Sequence, residues 1–140
     1  MMKNKRNSGA CYCGGMAPGA AYPACCQVFI EGGVAAPSAE HLMRSRYSAY
    51  VMGNADYLLS TWHASTRPAD LVLEAPGTPH AVKWLGLTVH VFEQLNATQA
   101  QVVFTARYRE GGRAHRLQEH SQFMLENGKW FYLAGHVDDI

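Results

Sequence analysis

Gln101-Val-Val-Phe-Thr-Ala-Arg-Tyr-Arg-Glu-Gly-Gly-Arg-Ala-His-Arg-Leu-Gln-Glu-His-Ser-Gln-Phe-Met-Leu-Glu-Asn-Gly-Lys-Trp-Phe-Tyr-Leu-Ala134 decides the fold of this chain. Apolar residues alternate with polar ones, and two glycine-containing pairs, Gly111-Gly112 and Asn127-Gly128, interrupt the alternation. Both pairs suit a tight two-residue hairpin turn, because their positions accept positive φ. The reading is strands over Gln101–Glu110, His115–Glu126 and Lys129–Ala134, with a further strand over Val82–Phe92. Counting back from each turn sets the register. Tyr108 faces His115, Ala106 faces Leu117, Phe104 faces Glu119 and Val102 faces Ser121, while Leu125 faces Trp130 and Phe123 faces Tyr132. Strand side chains alternate, so all of these lie on one face. That face is apolar except for His115, Glu119, Ser121 and the hydroxyl of Tyr108.

Upstream the period is helical. Ser38 is placed to cap a helix reaching about Met52, with Glu40 in its first turn and Gly53 just past its end. Its expected apolar face is Leu42, Met43, Tyr47, Tyr50 and Val51. A shorter helix follows from Asn54, with Asp56 early and Leu58, Leu59 and Trp62 buried. Thr66 to Pro79 holds three prolines and reads as loop, with a short extended piece at Leu71 to Leu73. Helices followed by an antiparallel meander give an α+β domain with the helices on one sheet face. A curved sheet of this kind closes over them as a cone, and its mouth is a pocket.

The four cysteines of the chain, Cys11, Cys13, Cys25 and Cys26, sit within its first 26 residues. Two short pairs joined by a loop rich in small residues, Gly14 to Ala24, can wrap one tetrahedral zinc ion and turn backbone amides toward the sulfurs. Cys25 and Cys26 cannot bridge one another without strain. In a reducing compartment clustered cysteines are metal ligands more often than disulfides. Four thiolates leave no open position for water, so the expected Zn2+ is structural rather than catalytic.

Lysine plus arginine number 12 against 11 acids, so no general attraction to nucleic acid or membrane is expected. No apolar run approaches the ~20 residues of a membrane span. No apolar stretch follows the basic residues 1–9, which points to the cytoplasm. The expected organisation is a disordered tail over 1–9, a zinc module over 10–33 and the α+β domain over 34–140.

Several of these segments together carry a resemblance. The Cys-x-Cys and Cys-Cys module, Leu42-Met-Arg-Ser-Arg-Tyr-Ser-Ala-Tyr50, Thr61-Trp-His63, Ala106-Arg-Tyr-Arg-Glu-Gly-Gly112 and His115-Arg-Leu-Gln-Glu-His-Ser-Gln-Phe123 resemble the YchJ family of bacterial proteins over residues 10 to 135. The resemblance implies a SEC-C zinc motif joined to a domain like nuclear transport factor two, the cystatin-like cone. It implies no activity. Here Tyr12 stands where the family's first module usually has Pro, Gly15 where it has Ser, and the spacer before Cys25 is longer. SEC-C motifs also end the SecA translocation motor as a docking knob, and by analogy this one is expected to bind protein.

On the inward face His115 and Glu119 are about 13 Å apart at ~3.3 Å per residue, too far for an acid–base dyad. Each needs a partner from the helices: Arg46 or Arg44 for Glu119, and Tyr47 or Trp62-His63 for the others. An internal Arg46–Glu119 ion pair is the expected structural outcome, since an unpaired buried carboxylate costs several kcal/mol. On the opposite face Arg107 stands across from Arg116, which reads as a solvated surface. His63 and His120 lack companions at metal-ligand spacing, and Trp84 and Trp130 are expected core anchors. There is no phosphate-cradling glycine loop, no Gly-x-Ser-x-Gly elbow and no His-Glu-x-x-His. The functional expectation is a zinc-binding adaptor that presents its knob to a protein partner. The alternative is a small-ligand carrier or an isomerase-like or dehydratase-like pocket enzyme, using Tyr108, His115, Glu119 and Ser121 with Arg46, Tyr47 and Trp62.

Overall fold

The computed structural model describes residues 9–79 and 81–139, so the expected tail falls outside the described residues except for Gly9. A single 3-10 turn at Tyr22–Ala24 and a short helix α1 (Gln27–Ile30) follow the first cysteines. Helices α2 (Ala39–Met52) and α3 (Ala55–Ser60) come next, then strands β1 (Lys83–Gln94), β2 (Gln99–Glu110), β3 (Arg113–Glu126) and β4 (Lys129–Asp139). The strands form one antiparallel sheet in the order β1-β2-β3-β4. No helix among the described residues is long and apolar enough to cross a membrane.

The local chemistry explains the element ends. Ser38 Oγ accepts the His41 amide at the start of α2, and Gly53 closes the helix with φ 73°, a left-handed conformation that costs glycine little. Asn54 Oδ1 accepts the Tyr57 amide and starts α3. Gly111 and Gly112 have φ of 60° and 81°, and Asn127 and Gly128 have 54° and 78°, which are the two-residue turns expected. The register follows from them: Tyr108 pairs with His115, Phe104 with Glu119, Val102 with Ser121, Leu125 with Trp130 and Phe123 with Tyr132.

Three expectations need correction. Strand β4 does not stop at Ala134 but runs on to Asp139, because β3 residues Leu117 to Ser121 continue to pair with it beyond an irregularity after Gln122. Leu71 to Leu73 forms no strand, and Val72 is 84% exposed, since no neighbouring strand satisfies that backbone. Helix α2 buries Ser45, Arg46 and Ser48 along with Leu42, Met43 and Tyr47. It is covered on two sides, so a single apolar stripe does not describe it. One continuous buried cluster runs from the cysteines through Leu42, Met43 and Tyr47 to Val102, Phe104 and Phe123 on the sheet.

The outer edge of β4 is partly covered. Tyr132 makes a parallel bridge with Trp62: its amide donates to Thr61 O and its carbonyl accepts the His63 amide, both at 2.8 Å.

Candidate functional site

Two features flank α2, a cysteine cluster and a cavity. In the cluster Cys11, Cys13, Cys25 and Cys26 are all buried and none forms a disulfide. Their ligand atoms lie within 4.8 Å of one another. The sulfurs of Cys13 and Cys25 are 3.7 Å apart, those of Cys13 and Cys26 3.7 Å, and those of Cys25 and Cys26 4.0 Å. A tetrahedral tetrathiolate site with metal–sulfur bonds of about 2.3 Å places its sulfurs about 3.8 Å apart. The cluster therefore matches the spacing that a single ion requires, and these residues can hold a metal.

The loop makes this possible. The Gly15 amide donates to Cys13 Sγ (3.3 Å) and the Met16 amide to Cys25 Sγ (3.4 Å), which offsets negative charge on the sulfurs. Gly15 has φ +92°, and a β-carbon there would collide with Ala17 O and Ala20 N. Ala10 and Ala21 bridge the two ends of the loop. The thiols share their protons. Hydrogen bonds from Cys13 and Cys26 hold Cys11 far below the usual thiol range, while giving those bonds and being buried push Cys13 up to about 12 and raise Cys26 as well. A metal ion would displace those protons and compensate the charge of the four buried thiolates that result.

The cluster is tied to α2. Arg44 Nη1 donates to Cys13 O (2.8 Å) while its Nε binds Glu40 (3.0 Å), and Ser48 Oγ lies 3.7 Å from Cys11 Sγ.

Beyond α2, between the helix and the inner sheet face, is a cavity of about 250 Å³. Met43, Arg46, Tyr47 and Tyr50 of α2 line it, facing Trp84, Phe104, Phe123 and Tyr132 from the strands. Glu119 and Ser121 form its polar part. Ser121 Oγ donates to Glu119 Oε2 (2.6 Å), and so does the Tyr132 hydroxyl (3.2 Å). Burial, reinforced by the Glu119 charge, pushes the Tyr132 phenol up, so it serves as a donor. Gly135 lies opposite Ser121, and a β-carbon there would overlap both the Glu119 carboxylate and the Tyr132 hydroxyl. Glycine at this place makes room for the group.

The structure brings together Arg46, Tyr47, Glu119 and Ser121 of the expected pocket residues, and leaves the other three outside the lining. Trp62 packs behind the wall, its ring 5.1 Å from that of Tyr132. Tyr108 and the exposed His115 stack on one another at 5.2 Å beyond Trp84, because the β2–β3 hairpin carries them past it. The expected Arg46–Glu119 ion pair does not form. Arg46 Nη1 donates instead to Leu58 O and Thr61 Oγ1, both at 2.7 Å, and its guanidinium lies 5.0 Å from the Trp62 ring centroid and 4.5 Å from that of Tyr132. Burial pulls its pKa down, against the surrounding tyrosines and Glu119. Tyr132, Tyr50 and Trp84 were not among the expected pocket residues. The parity that places Phe123 inward places Tyr132 there too, whereas Gly135 lies past the strand end expected at Ala134 and gave no such signal.

The remaining polar groups lie apart from both features. His63 Nδ1 pairs with Ser65 Oγ (2.7 Å), its Nε2 sits 3.0 Å from Glu126 without hydrogen-bond alignment, and His120 stands across from His136. Arg107 opposes Arg116 as counted, but its guanidinium turns over Gly86 and donates to Thr88 Oγ1 (3.1 Å).

Comparison with known proteins agrees with this architecture. The model of the YchJ middle domain, described as NTF2-like, matches residues 38–135. A UPF0225 protein of Polaromonas naphthalenivorans is 50% identical over 134 residues, covering 89% of this chain and 95% of the relative. The solution structure of a SEC-C motif containing protein from Rhodopseudomonas palustris superposes with a TM-score of 0.77 at 29% identity, covering 93% of this chain and 99% of that one. A crystal structure of a SEC-C motif containing protein from Psychrobacter arcticus has the same fold, with a TM-score of 0.72 at 24% identity and coverage of 94% and 84%.

Proposed function

The chain belongs to the YchJ family, and we propose that it is a small-molecule-binding protein of that family, organised by one structural zinc ion on Cys11, Cys13, Cys25 and Cys26. The observation that carries the reading is the double use of α2. Arg44 and Ser48 fasten one side of the helix to the cysteine module, while Met43, Arg46, Tyr47 and Tyr50 on the other side wall the cavity. Positions three and four apart share a helix face, so fixing the first set orients the second.

Zinc suits the donors. An all-thiolate tetrahedral set selects zinc or an iron–sulfur cluster, and a multi-iron cluster would hold its cysteines farther apart than the 3.7 to 4.0 Å seen here. When bound, zinc supplies a cross-link among four chain positions and leaves no site for a reacting water. The cytoplasm, where thiols stay reduced, is the compartment that suits it.

The test is native mass spectrometry of freshly purified protein beside its Cys25→Ser, Cys26→Ser double variant. The parent should carry one zinc per chain and the double variant none, with loss of any small molecule retained by the parent. Equal metal content in the two would sink the zinc assignment.

The adaptor reading has one observation behind it. A groove of about 270 Å³, of mixed apolar and polar lining, runs between Phe29, Ile30 and Val34 and the β4 residues Lys129, Trp130 and Phe131, with Val34 53% exposed. A protein docking on the module would use this groove. If Val34→Asp left the set of co-purifying proteins unchanged, that reading would be lost.

A further inference from the structure

The two oxygens of the Glu119 carboxylate are not equivalent. Oε2 accepts from both Ser121 and Tyr132, whereas no donor among the described residues reaches Oε1. Arg46, the cation on the same wall, does not complete it, because Nη1 is held by Leu58 O and Thr61 Oγ1 and the guanidinium lies against the Trp62 and Tyr132 rings. Elsewhere the wall is almost wholly apolar or aromatic: Met43, Tyr47, Trp84, Phe104 and Phe123. Glu119 is half-buried and Oε1 is not sealed from solvent, and beside such walls it favours an entering molecule that brings a donor.

Size narrows the class. A volume of about 250 Å³ is roughly eight times the ~30 Å³ share of a water molecule, which is the room of one substituted ring. We propose that the cavity takes a small, ring-bearing, largely apolar molecule that presents an N–H or O–H donor, neutral or ammonium, to Glu119 Oε1, and that it rejects carboxylates. Aromatic walls hold the apolar body and favour an ammonium donor through their faces. The carboxylate fixes the orientation and repels an anion, while the Arg46 charge that would attract one is turned onto Leu58 O, Thr61 Oγ1 and the Trp62 and Tyr132 rings. This inference rests on the cavity reading above.

Four probes of similar shape separate the possibilities: benzylamine, benzyl alcohol, toluene and benzoate. Each is titrated into the full-length zinc-loaded protein, with the Met43 methyl signal in NMR reporting occupancy of the cavity. Benzylamine and benzyl alcohol should bind about tenfold or more tightly than toluene, the size of one charge-assisted hydrogen bond, and benzoate most weakly. Glu119→Gln should remove most of the benzylamine preference while leaving toluene unchanged. Toluene or benzoate binding as tightly as the alcohol overturns the proposed ligand class and leaves the cavity reading standing. Failure of all four to shift Met43 overturns both. The ranking on the parent protein decides the matter even if the variant does not fold.

Discussion

Gly135 sits directly across the β3–β4 ladder from Ser121, and the space where its side chain would stand is filled by the Glu119 carboxylate and the Tyr132 hydroxyl. Gly135→Ala should therefore drive these two groups apart. The expected cost is about 1 to 3 kcal/mol, the usual range for overpacking, read as a lower midpoint in urea unfolding. A tyrosine spectrum unchanged from the parent, with equal stability, would show that the group does not depend on this glycine.

Arg46 and Glu119 share a cavity wall but form neither an ion pair nor a hydrogen bond, so their coupling should be weak. Arg46→Met should cost about 3 kcal/mol through lost hydrogen bonds to Leu58 O and Thr61 Oγ1 and lost ring contacts. In a double-mutant cycle with Glu119→Gln, the coupling should stay below about 1 kcal/mol. A coupling of about 3 kcal/mol or more would mean a buried ion pair after all.

The difference between those outcomes marks how far sequence reaches. Hairpin turns at Gly111-Gly112 and Asn127-Gly128 carry their own backbone requirement, so the pairing of Phe104 with Glu119 and of Phe123 with Tyr132 could be counted residue by residue. Ser38, Gly53 and Asn54 likewise announce the ends of α2 and α3 by local chemistry. What Arg46 does is a tertiary matter. It depends on where the carbonyl of Leu58 and the Trp62 ring arrive when α3 folds back, and no spacing encodes that. Gly135 lies past the strand end expected at Ala134, so neither its place in β4 nor its role as the floor beneath a carboxylate was legible. Tyr108 and His115 have the right parity but lie too far along the hairpin, a distance set by sheet curvature.

Arg107 and Arg116 face each other on the outer side of the sheet, with Arg107 turned toward β1. Arg116→Gln should stabilise the protein by about 0.2 to 1 kcal/mol at low salt, with the gain shrinking in high salt. In a Gly86→Ala background the gain should grow, because the added carbon displaces the Arg107 guanidinium from its place over Gly86. Thermal unfolding at two salt concentrations checks both statements, and a gain that does not respond to salt would count against charge repulsion.

Gly15 holds a left-handed conformation and faces Ala17 O and Ala20 N at close range. Gly15→Ala should reopen the loop, withdraw the amide from Cys13 Sγ and weaken zinc affinity by about tenfold, one lost charge-assisted hydrogen bond. Competition with a chromogenic chelator measures this directly. Unchanged affinity would place the loop's contribution elsewhere.

The parallel bridge between Trp62 and Tyr132 has a further consequence for assembly. Strands extend a sheet from molecule to molecule most readily when each molecule offers two free margins, and here Thr61, Trp62 and His63 obstruct the β4 margin at Tyr132. Chains that meet along β1 would thereby terminate one another, giving pairs rather than filaments. Light scattering on concentrated samples should find no growth beyond the dimer, whereas a His63→Pro variant, which loses the amide that donates to Tyr132 O, should be the form that grows further.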